Sequence, residues 1–353
     1  MAIIDKPSDY FNTALWTGNG STTNITSLDF QPDFTWIKGR SDAIAHVVFD
    51  SVRGAGGNKE LTPNETYAEG GNSTISYGFL SSFNSDGFTV RNGTSSPNQA
   101  DYTNKNSSTY ASWNWKAGGS ASSNSNGSIT SSISASSNSG FSIVSYSGTS
   151  SNGTIGHGLD SAPKMVIVKA LASGRDWMTY HKSVGATKYL FLNATDASAS
   201  SSGIWNDTDP TSTVVHLGSS NSVNGNGINY IAYCFADTSM SKMGSYSSNS
   251  NADGPFVYLG FKPAFLIVKC TTAAEGWAIM DSTREPTNDA SFATLSANTS
   301  GSEGSLVIDF LSNGFKPRQV SGQINKSGSH SYIFMAFASN PLVTSTGVPA
   351  TAR

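Results

Sequence analysis

One pattern of apolar and polar positions recurs three times along the chain. In each copy a proline precedes a strand-like run with apolar residues at both odd and even positions, and a lysine follows that proline six positions later. Successive side chains of a strand point to opposite faces, so an apolar run without alternation predicts a strand buried on both sides. We expect the proline at the head of this strand, where its missing N–H is not needed. The three marker pairs are Pro32 and Lys38, Pro163 and Lys169, and Pro263 and Lys269.

The rest of the pattern predicts further strands and turns. A second apolar run ends twelve positions after the lysine, at Asp50, His181 or Asp281. A Leu-x-x-Asn-x-Ser/Thr motif follows, and we expect its asparagine to bond to the neighbouring backbone in an Asx-type turn. Each copy closes on a strand led by Tyr, with an aromatic residue five positions later. The motif asparagines are Asn64, Asn193 and Asn298, and the closing pairs are Tyr110 and Trp115, Tyr230 and Phe235, and Tyr332 and Phe337.

Two of the copies contain a dipeptide typical of tight hairpins. Copy one has Asp86-Gly87 and copy three has Asn313-Gly314, whereas copy two has Gly-Ser-Ser-Asn at residues 218–221. Asp-Gly and Asn-Gly commonly supply the positive φ that two-residue hairpin loops need. We therefore expect this hairpin in copies one and three.

The repetition predicts an all-β protein with three tandem antiparallel β-sandwich-like repeats of about 100 residues each. The expected boundaries are 1–118 for repeat one, 141–240 for repeat two, 241–340 for repeat three and 341–353 for a C-terminal tail. Residues 119–140 are almost entirely Ser, Asn, Gly and Ala. Two interpretations of this segment are open: a flexible linker, or an edge strand built around Ile129 and Ile133.

Charged residues at repeated positions have a structural and a functional interpretation. Asp50 with Arg53, and Asp281 with Arg284, could pair an acid with an electropositive partner. We favour a structural bridge that fixes a strand end, because copy two replaces the pair with His181 and a non-basic residue. The lysines of the marker pairs are expected to lay their stems on the core and keep the ammonium group in water.

Composition and charge exclude several classes of partner. Hydrophobic residues make up 37% of the chain, charged residues only 13%, and the net charge is -3. Without a basic cluster, nucleic acid is not an expected partner. Cys234 and Cys270 lie in apolar runs and are predicted to be buried free thiols. The first residues lack the apolar region of a secretory signal, and no apolar run is long enough for a membrane span, so we expect cytoplasmic synthesis and no membrane insertion.

No motif predicts catalysis. The histidines lack zinc-ligand spacing, and EF-hand and phosphate-binding loops are absent from the sequence, so we expect no metal, no cofactor and no enzymatic activity. Trp16, Tyr146 and Tyr246 stand beside polar turns and are candidate contacts to a sugar ligand. Aromatic residues in β-rich chains are, however, more often core residues or cross-strand pairs.

Seven segments of the chain carry a family resemblance: Trp113-Asn-Trp-Lys-Ala-Gly-Gly119, Gly127-Ser-Ile-Thr130, Gly140-Phe-Ser-Ile-Val-Ser-Tyr146, Ala162-Pro-Lys-Met-Val-Ile-Val-Lys169, Tyr230-Ile-Ala-Tyr-Cys-Phe235, Gly244-Ser-Tyr246 and Asp253-Gly-Pro-Phe-Val-Tyr258. They resemble a domain family of tailed bacteriophages, many of them marine. Its members are large β-rich virion proteins that are uncharacterised or described as tail-fibre proteins, and the resemblance covers almost the whole chain. No catalytic residues are established in the family, so none is carried over.

The resemblance implies a virion structural protein on the particle surface, as a tail fibre, a spike, or a head fibre or knob that decorates the capsid. Its expected partners are other virion proteins and a host cell-surface glycan or protein, and a homotrimer would cover sheet edges. A carbohydrate-binding adhesin module is the alternative, although it would need an export route. A polysaccharide depolymerase is a further alternative and would need two carboxylates about 5 to 10 Å apart.

Overall fold

Almost all regular structure in the described part of the chain is β. The computed structural model describes residues 3–172, 174–289, 291–341 and 343–348. Its helices are short: a 3₁₀ turn at Pro7–Asp9, α1 at Thr74–Tyr77 and α2 at Ser202–Trp205. The predicted all-β class is therefore confirmed. Within the described ranges, no helix is both long and apolar enough to cross a bilayer.

The strands of the described residues follow one another along the chain. They are β1 (Phe11–Thr17), β2 (Thr23–Ile25), β3 (Phe34–Gly39), β4 (Val47–Asp50), β5 (Phe79–Asn84), β6 (Gly87–Arg91), β7 (Thr109–Trp115), β8 (Ser122–Asn124), β9 (Ser131–Ser136), β10 (Phe141–Ser147), β11 (Gly153–Gly156), β12 (Met165–Ala170), β13 (Met178–His181), β14 (Lys188–Phe191), β15 (Ala199–Ser200), β16 (Val214–Leu217), β17 (Asn229–Phe235), β18 (Ser241–Ser247), β19 (Val257–Tyr258), β20 (Phe261–Cys270), β21 (Trp277–Asp281), β22 (Phe292–Ser296), β23 (Gly304–Leu306), β24 (Ile308–Leu311), β25 (Gly314–Pro317) and β26 (Ser331–Pro341).

Three large antiparallel sheets share one strand order. The orders are β1-β7-β3-β4 in the first sheet, β10-β17-β12-β13 inside an eight-stranded second sheet, and β18-β26-β20-β21 inside a six-stranded third sheet. In each sheet the Tyr-led strand lies between the first strand and the strand that carries the marker lysine. We call each large sheet with its covering strands unit one, unit two and unit three.

The Ser/Asn-rich segment between units one and two is structured. It contains β8 and β9, which extend the second sheet beyond β10 and form its edge. Two isoleucines of this segment, Ile129 and Ile133, are buried, and Ile129 forms a β-bridge to Ile155. Their apolar side chains provide the burial that orders a segment of otherwise small polar residues.

Each large sheet is covered on its outer face by a smaller sheet. The small sheets are β2-β6-β5, β11-β16 and β19-β25-β24. In unit one, Ile25 and Phe88 of the small sheet pack with Ile37 and Phe49 of the large sheet. This face-to-face packing of two sheets is the sandwich-like arrangement expected from the sequence.

The inner faces of the three large sheets meet in one shared core. The aromatic residues five positions after each closing Tyr, namely Trp115, Phe235 and Phe337, lie at its centre. Their ring centroids are 6.1 Å apart for Trp115 and Phe235, 5.7 Å for Trp115 and Phe337, and 6.2 Å for Phe235 and Phe337. A triangle of equivalent residues with nearly equal sides indicates a pseudo-threefold axis within the single chain.

The marker prolines are not the first residues of their strands. Pro32 and Pro163 each stand two residues before β3 and β12 begin, while Pro263 lies inside β20. The pairing of β20 with β26 shifts register on both sides of Pro263. A bulge accommodates this proline because the ladder is interrupted there and no N–H is required.

The predicted hairpins are present, and Gly87 has a positive φ of +154°, whereas Gly314 does not have a positive φ. The loops Ser85-Asp86 and Ser312-Asn313 connect β5 to β6 and β24 to β25, and none of these four residues has a positive φ. A Cβ on Gly314 would lie 2.1 Å from the carbonyl oxygen of Val257. Glycine is needed because the neighbouring strand approaches too closely for any side chain.

Candidate functional site: unit interfaces and an exposed aromatic face

The three marker lysines are fully buried, so the expectation of a wet ammonium group is wrong. Lys269 Nζ donates to the carbonyl oxygens of Thr195 at 2.9 Å, Cys270 at 2.9 Å and Glu275 at 2.7 Å. Lys169 Nζ bonds in the same way to Thr66 O at 3.2 Å, Ala170 O at 3.1 Å and Arg175 O at 2.8 Å. Since Thr195 belongs to unit two and Thr66 to unit one, each of these lysines joins its unit to the preceding one.

Lys38 departs from this arrangement. Its ammonium group donates to Gly39 O at 2.6 Å and Asp42 O at 3.3 Å, both in its own unit. Burial lowers the pKa of Lys38, Lys169 and Lys269 to about 8. All three lysines are structural groups whose ammonium hydrogens are directed to backbone oxygens, and Lys169 and Lys269 connect neighbouring units.

Equivalent backbone bonds close the units into a ring. Glu69 N–H donates to Leu171 O at 2.9 Å between units one and two, and Ser198 N–H donates to Thr271 O at 2.9 Å between units two and three. Glu303 N–H donates to Arg40 O at 2.8 Å and thereby joins unit three to unit one. One kind of contact thus occurs at all three interfaces, and the ring has no free end.

Ring nitrogens provide a second cyclic set of contacts. Trp177 Nε1 donates to Thr62 O at 3.0 Å, and Trp277 Nε1 donates to Phe191 O at 2.9 Å. The equivalent position in unit one holds His46, whose Nε2 lies 3.1 Å from Ser296 O of unit three. Burial lowers the pKa of His46 well below its ordinary value, and the neutral ring can donate this bond.

The motif asparagines do not form local Asx turns. Their Oδ1 atoms accept hydrogen bonds from backbone N–H groups at the start of the second apolar run. The bonds are His46 N to Asn64 at 2.8 Å, Trp177 N to Asn193 at 2.9 Å and Trp277 N to Asn298 at 2.8 Å. The asparagine therefore positions the residue whose ring contacts the preceding unit.

The predicted Asp–Arg pairs are buried bridges within one unit. Arg284 Nε lies 2.5 Å from Asp281 Oδ2, and Asp281 Oδ1 accepts the Arg284 backbone N–H at 2.8 Å. Asp50 and Arg53 have the same geometry. A third member was missed in the sequence: Glu69 bonds to Arg53 at 3.1 Å, and Glu303 bonds to Arg284 at 2.9 Å.

Both aspartates also accept a bond from the neighbouring unit. Tyr233 OH donates to Asp50 Oδ2 at 2.7 Å, and Trp113 Nε1 donates to Asp281 Oδ2 at 2.9 Å. Met335 occupies the equivalent position in unit three, and there His181 Nε2 bonds to Phe334 O at 3.2 Å. The acids are completely buried and fully engaged, which supports the structural interpretation of the pairs.

The three aromatic residues singled out in the sequence have packing roles. Trp16, Tyr146 and Tyr246 stack on Tyr110, Tyr230 and Tyr332, with centroid separations of 5.3, 5.2 and 5.0 Å. Their polar atoms donate to Thr103 O at 3.0 Å, Val223 O at 2.6 Å and Ile324 O at 2.6 Å. Tyr146 is only 4% exposed, so its ring cannot receive a sugar, and one face of each of the other two rings is already covered.

Buried asparagines that the sequence reasoning missed shape the loops beside these stacks. Asn224 Oδ1 accepts from Thr149 N at 2.8 Å, while its Nδ2 donates to Ser151 O at 2.6 Å and Gly218 O at 3.0 Å. Asn104 and Asn325 are likewise fully buried and bond across to the turns of their own units. Their spacing of six or seven residues before the closing Tyr was the available signal.

Two exposed aromatic residues in unit three were also missed. Phe256 and Tyr258 are 48% and 53% exposed, at and beside the edge strand β19. Asp253 Oδ1 lies nearby in sequence and pairs with Lys316 Nζ at 2.8 Å and Arg318 Nη1 at 2.7 Å. We call Asp253, Phe256, Tyr258, Lys316 and Arg318 the aromatic face. Its two aromatic residues follow the turn Asp253-Gly-Pro in the sequence.

Other features of the described residues are less specific. No group of three or more His, Cys, Asp or Glu side chains within them could hold a metal ion. A shallow depression of about 590 Å³ is lined by Gln31, Lys116 and the turn at residues 136–138, among others. Cys234 and Cys270 are free and buried, as predicted.

Comparison with known proteins identifies one family. The sequence profile of the family described as "Domain of unknown function (DUF7483)" matches residues 6–341. No curated protein matches the chain. The family match spans all three units.

Proposed function

Since the chain belongs to the DUF7483 family, whose description assigns no role, we propose that it is a bacteriophage virion structural protein displayed on the particle surface. It acts there by binding a host surface component or other virion proteins, as a tail fibre, a spike or a capsid decoration. The sequence resemblance to tailed-phage proteins is the source of the virion assignment.

The observation that carries the proposal is the closed ring of three units around one core. A ring closed by buried contacts makes a rigid support, and recognition is commonly placed on loops of such supports. The turns outside the ring are rich in Ser, Asn and Gly, including residues 147–153 and 247–254.

Binding fits the described side chains better than catalysis does. Two fully buried carboxylates, Asp50 and Asp281, are each held by an arginine and by a donor from the next unit. A glycoside hydrolase would need two carboxyl groups that can reach a substrate. The homotrimer expected from the sequence stays a prediction.

Immunogold electron microscopy of intact particles tests the proposal, with antibodies raised against the purified chain. Label at the tail would support host attachment, and label at the head would support capsid decoration. Protein that occurs free while the particles stay unlabelled would contradict the virion assignment and favour the carbohydrate-binding alternative. The aromatic face is the specific observation that favours that alternative.

A further inference from the structure

Unit three carries two exposed aromatic rings beside a buried pair of its small sheet, where the described residues of the other units are polar or small. In unit three, Val257 pairs with Phe315, and both are buried. In unit one the corresponding buried pair is Ile25 and Phe88. The residues on either side of Ile25 are polar, Asn24 and Thr26, and those on either side of the buried Ile155 in unit two are Thr154 and Gly156.

Equivalent positions in the small sheets of the units show which side chains the fold itself requires. The same small sheet forms in unit one with polar residues at the positions of Phe256 and Tyr258. The fold therefore does not require aromatic rings there, and exposing them carries the free-energy cost of hydrating apolar surface.

The surroundings of the two rings are polar and already ordered. In the register of β19 with β25 the buried Val257 pairs with Phe315, and Phe256 and Lys316 are the next residues of the two segments. Asp253 bridges Lys316 and Arg318, and Arg318 Nε also lies 3.4 Å from Asp309 Oδ2. Lys242 covers part of the Tyr258 ring, with Nζ 5.3 Å from the centroid. Hydrogen-bond acceptors and donors thus lie beside the flat apolar faces of the two rings.

We propose that the aromatic face of unit three is a carbohydrate-binding site. The C–H faces of sugar rings stack on Phe256 and Tyr258, while hydroxyl groups bond to Asp253, Lys316 and Arg318. Residues two apart on one strand are about 7 Å apart, so the two rings together extend beyond one sugar ring and suit an oligosaccharide. This inference rests on the proposed binding function and names its ligand class.

A glycan fits this face better than a protein partner does. A stable protein interface buries about 800 Å² on each partner around an apolar centre. Two half-exposed rings offer an exposed surface on the order of 200 Å² to a partner, because a fully buried aromatic side chain buries about 150–250 Å². The flanking acids and bases would have to be desolvated in a protein interface, whereas sugar hydroxyls can bond to both.

The test uses the purified full chain on an array of bacterial capsular and O-antigen polysaccharides together with simple di- and oligosaccharides. The double variant F256S/Y258S is compared with the control Y67S/I75S, which changes two side chains in unit one that are 43% and 44% exposed. We expect the wild type and the control to bind the same glycans, and the double variant to lose at least tenfold in apparent affinity. Circular dichroism and the melting temperature should be the same for all three proteins.

Two results would overturn the proposal: no glycan bound by the wild type, or glycan binding unchanged in F256S/Y258S. Binding to host envelopes that survives periodate oxidation and is lost after protease digestion would assign the face to a protein partner, and this also overturns it. Glycan binding with unlabelled particles would contradict the virion assignment alone. Labelled particles without glycan binding would contradict this inference alone.

Discussion

Single buried polar residues determine how the units meet. Lys269 and Lys169 place an ammonium group among three backbone oxygens each, one of them from the preceding unit. Burial disfavours the charged form, whereas the oxygens satisfy all three of its hydrogens. The sequence shows a lysine at the end of each strand. It does not show that a loop from another unit covers that lysine in the folded chain.

The lysines predict a pH dependence of stability. Their pKa is about 8 in the folded chain, against about 10.4 in an unfolded chain. The unfolded state then binds more protons between these values, so the free energy of unfolding should rise as the pH increases from 8 to 9.5. Guanidinium titrations at several pH values would measure it. The variant K269M should show a shallower rise, and a fall in stability with pH that this substitution removes would contradict the prediction.

A buried asparagine should matter far more than an exposed neighbour. Asn224→Ala removes the acceptor for Thr149 N–H and the donor to Ser151 O and Gly218 O. Each lost bond inside the protein is worth about 1 kcal/mol, so we expect a loss of about 3 kcal/mol in unfolding free energy. Asn226→Ala, at an exposed position of the same loop, is the matched control and should change it by less than about 0.5 kcal/mol. Similar values for both variants would show that the buried bonds do not stabilise the loop.

At the scale of elements, small sheets depend on close backbone approach. β19 and β25 approach so closely at Gly314 that only a residue without Cβ fits. Gly314→Ala should therefore shift β19 and destabilise the protein by about 1–3 kcal/mol, as overpacking does. Gly301→Ala is the control, because the closest atom to its added Cβ is the Thr299 hydroxyl at 3.6 Å. Thermal unfolding followed by circular dichroism compares the two, and equal melting temperatures would contradict the close-approach argument.

Periodicity predicted the central strands of each unit much better than the contacts between units. The apolar runs around Lys38, Lys169 and Lys269 became inner strands, because burial on both faces follows directly from the absence of alternation. The roles of Asn64, Asn193 and Asn298 were mistaken, since their partners lie 16 to 21 residues earlier in the chain. For Trp16, Tyr146 and Tyr246 the sequence left a sugar contact and a packing role open, because the tyrosine that stacks on each ring lies in a neighbouring strand.

At the scale of the whole molecule, one chain completes a threefold arrangement. The contact of Glu303 with Arg40 is as direct as those between units adjacent in sequence, with Arg40 Nη2 2.8 Å from Glu303 Oε2. Although burial raises its pKa, hydrogen bonds and charge from Arg40 and Arg284 hold the pKa of Glu303 below its usual value. The carboxylate is therefore suited to bridge units three and one.

Ring closure within the chain leads us to expect a monomer in solution. The inner faces that three separate subunits would share are already buried against one another. Light scattering should give a mass of 37.0 kDa. A mass three times as large would support the homotrimer expected from the sequence, and the contacts between chains would then have to lie outside the ring.

Two residues near the ends of the described chain are hydrogen-bonded to each other. The three units could therefore be connected in a different order along the chain. Ser345 N–H donates to Asp5 Oδ1 at 2.6 Å, so a short peptide could join these ends. New ends could be opened between the exposed Ser120 and Ala121, giving a circular permutant in which the units follow as two, three, one. Because the noncovalent interface between units three and one contains the same backbone bond as the other two, the permutant should fold to the same ring.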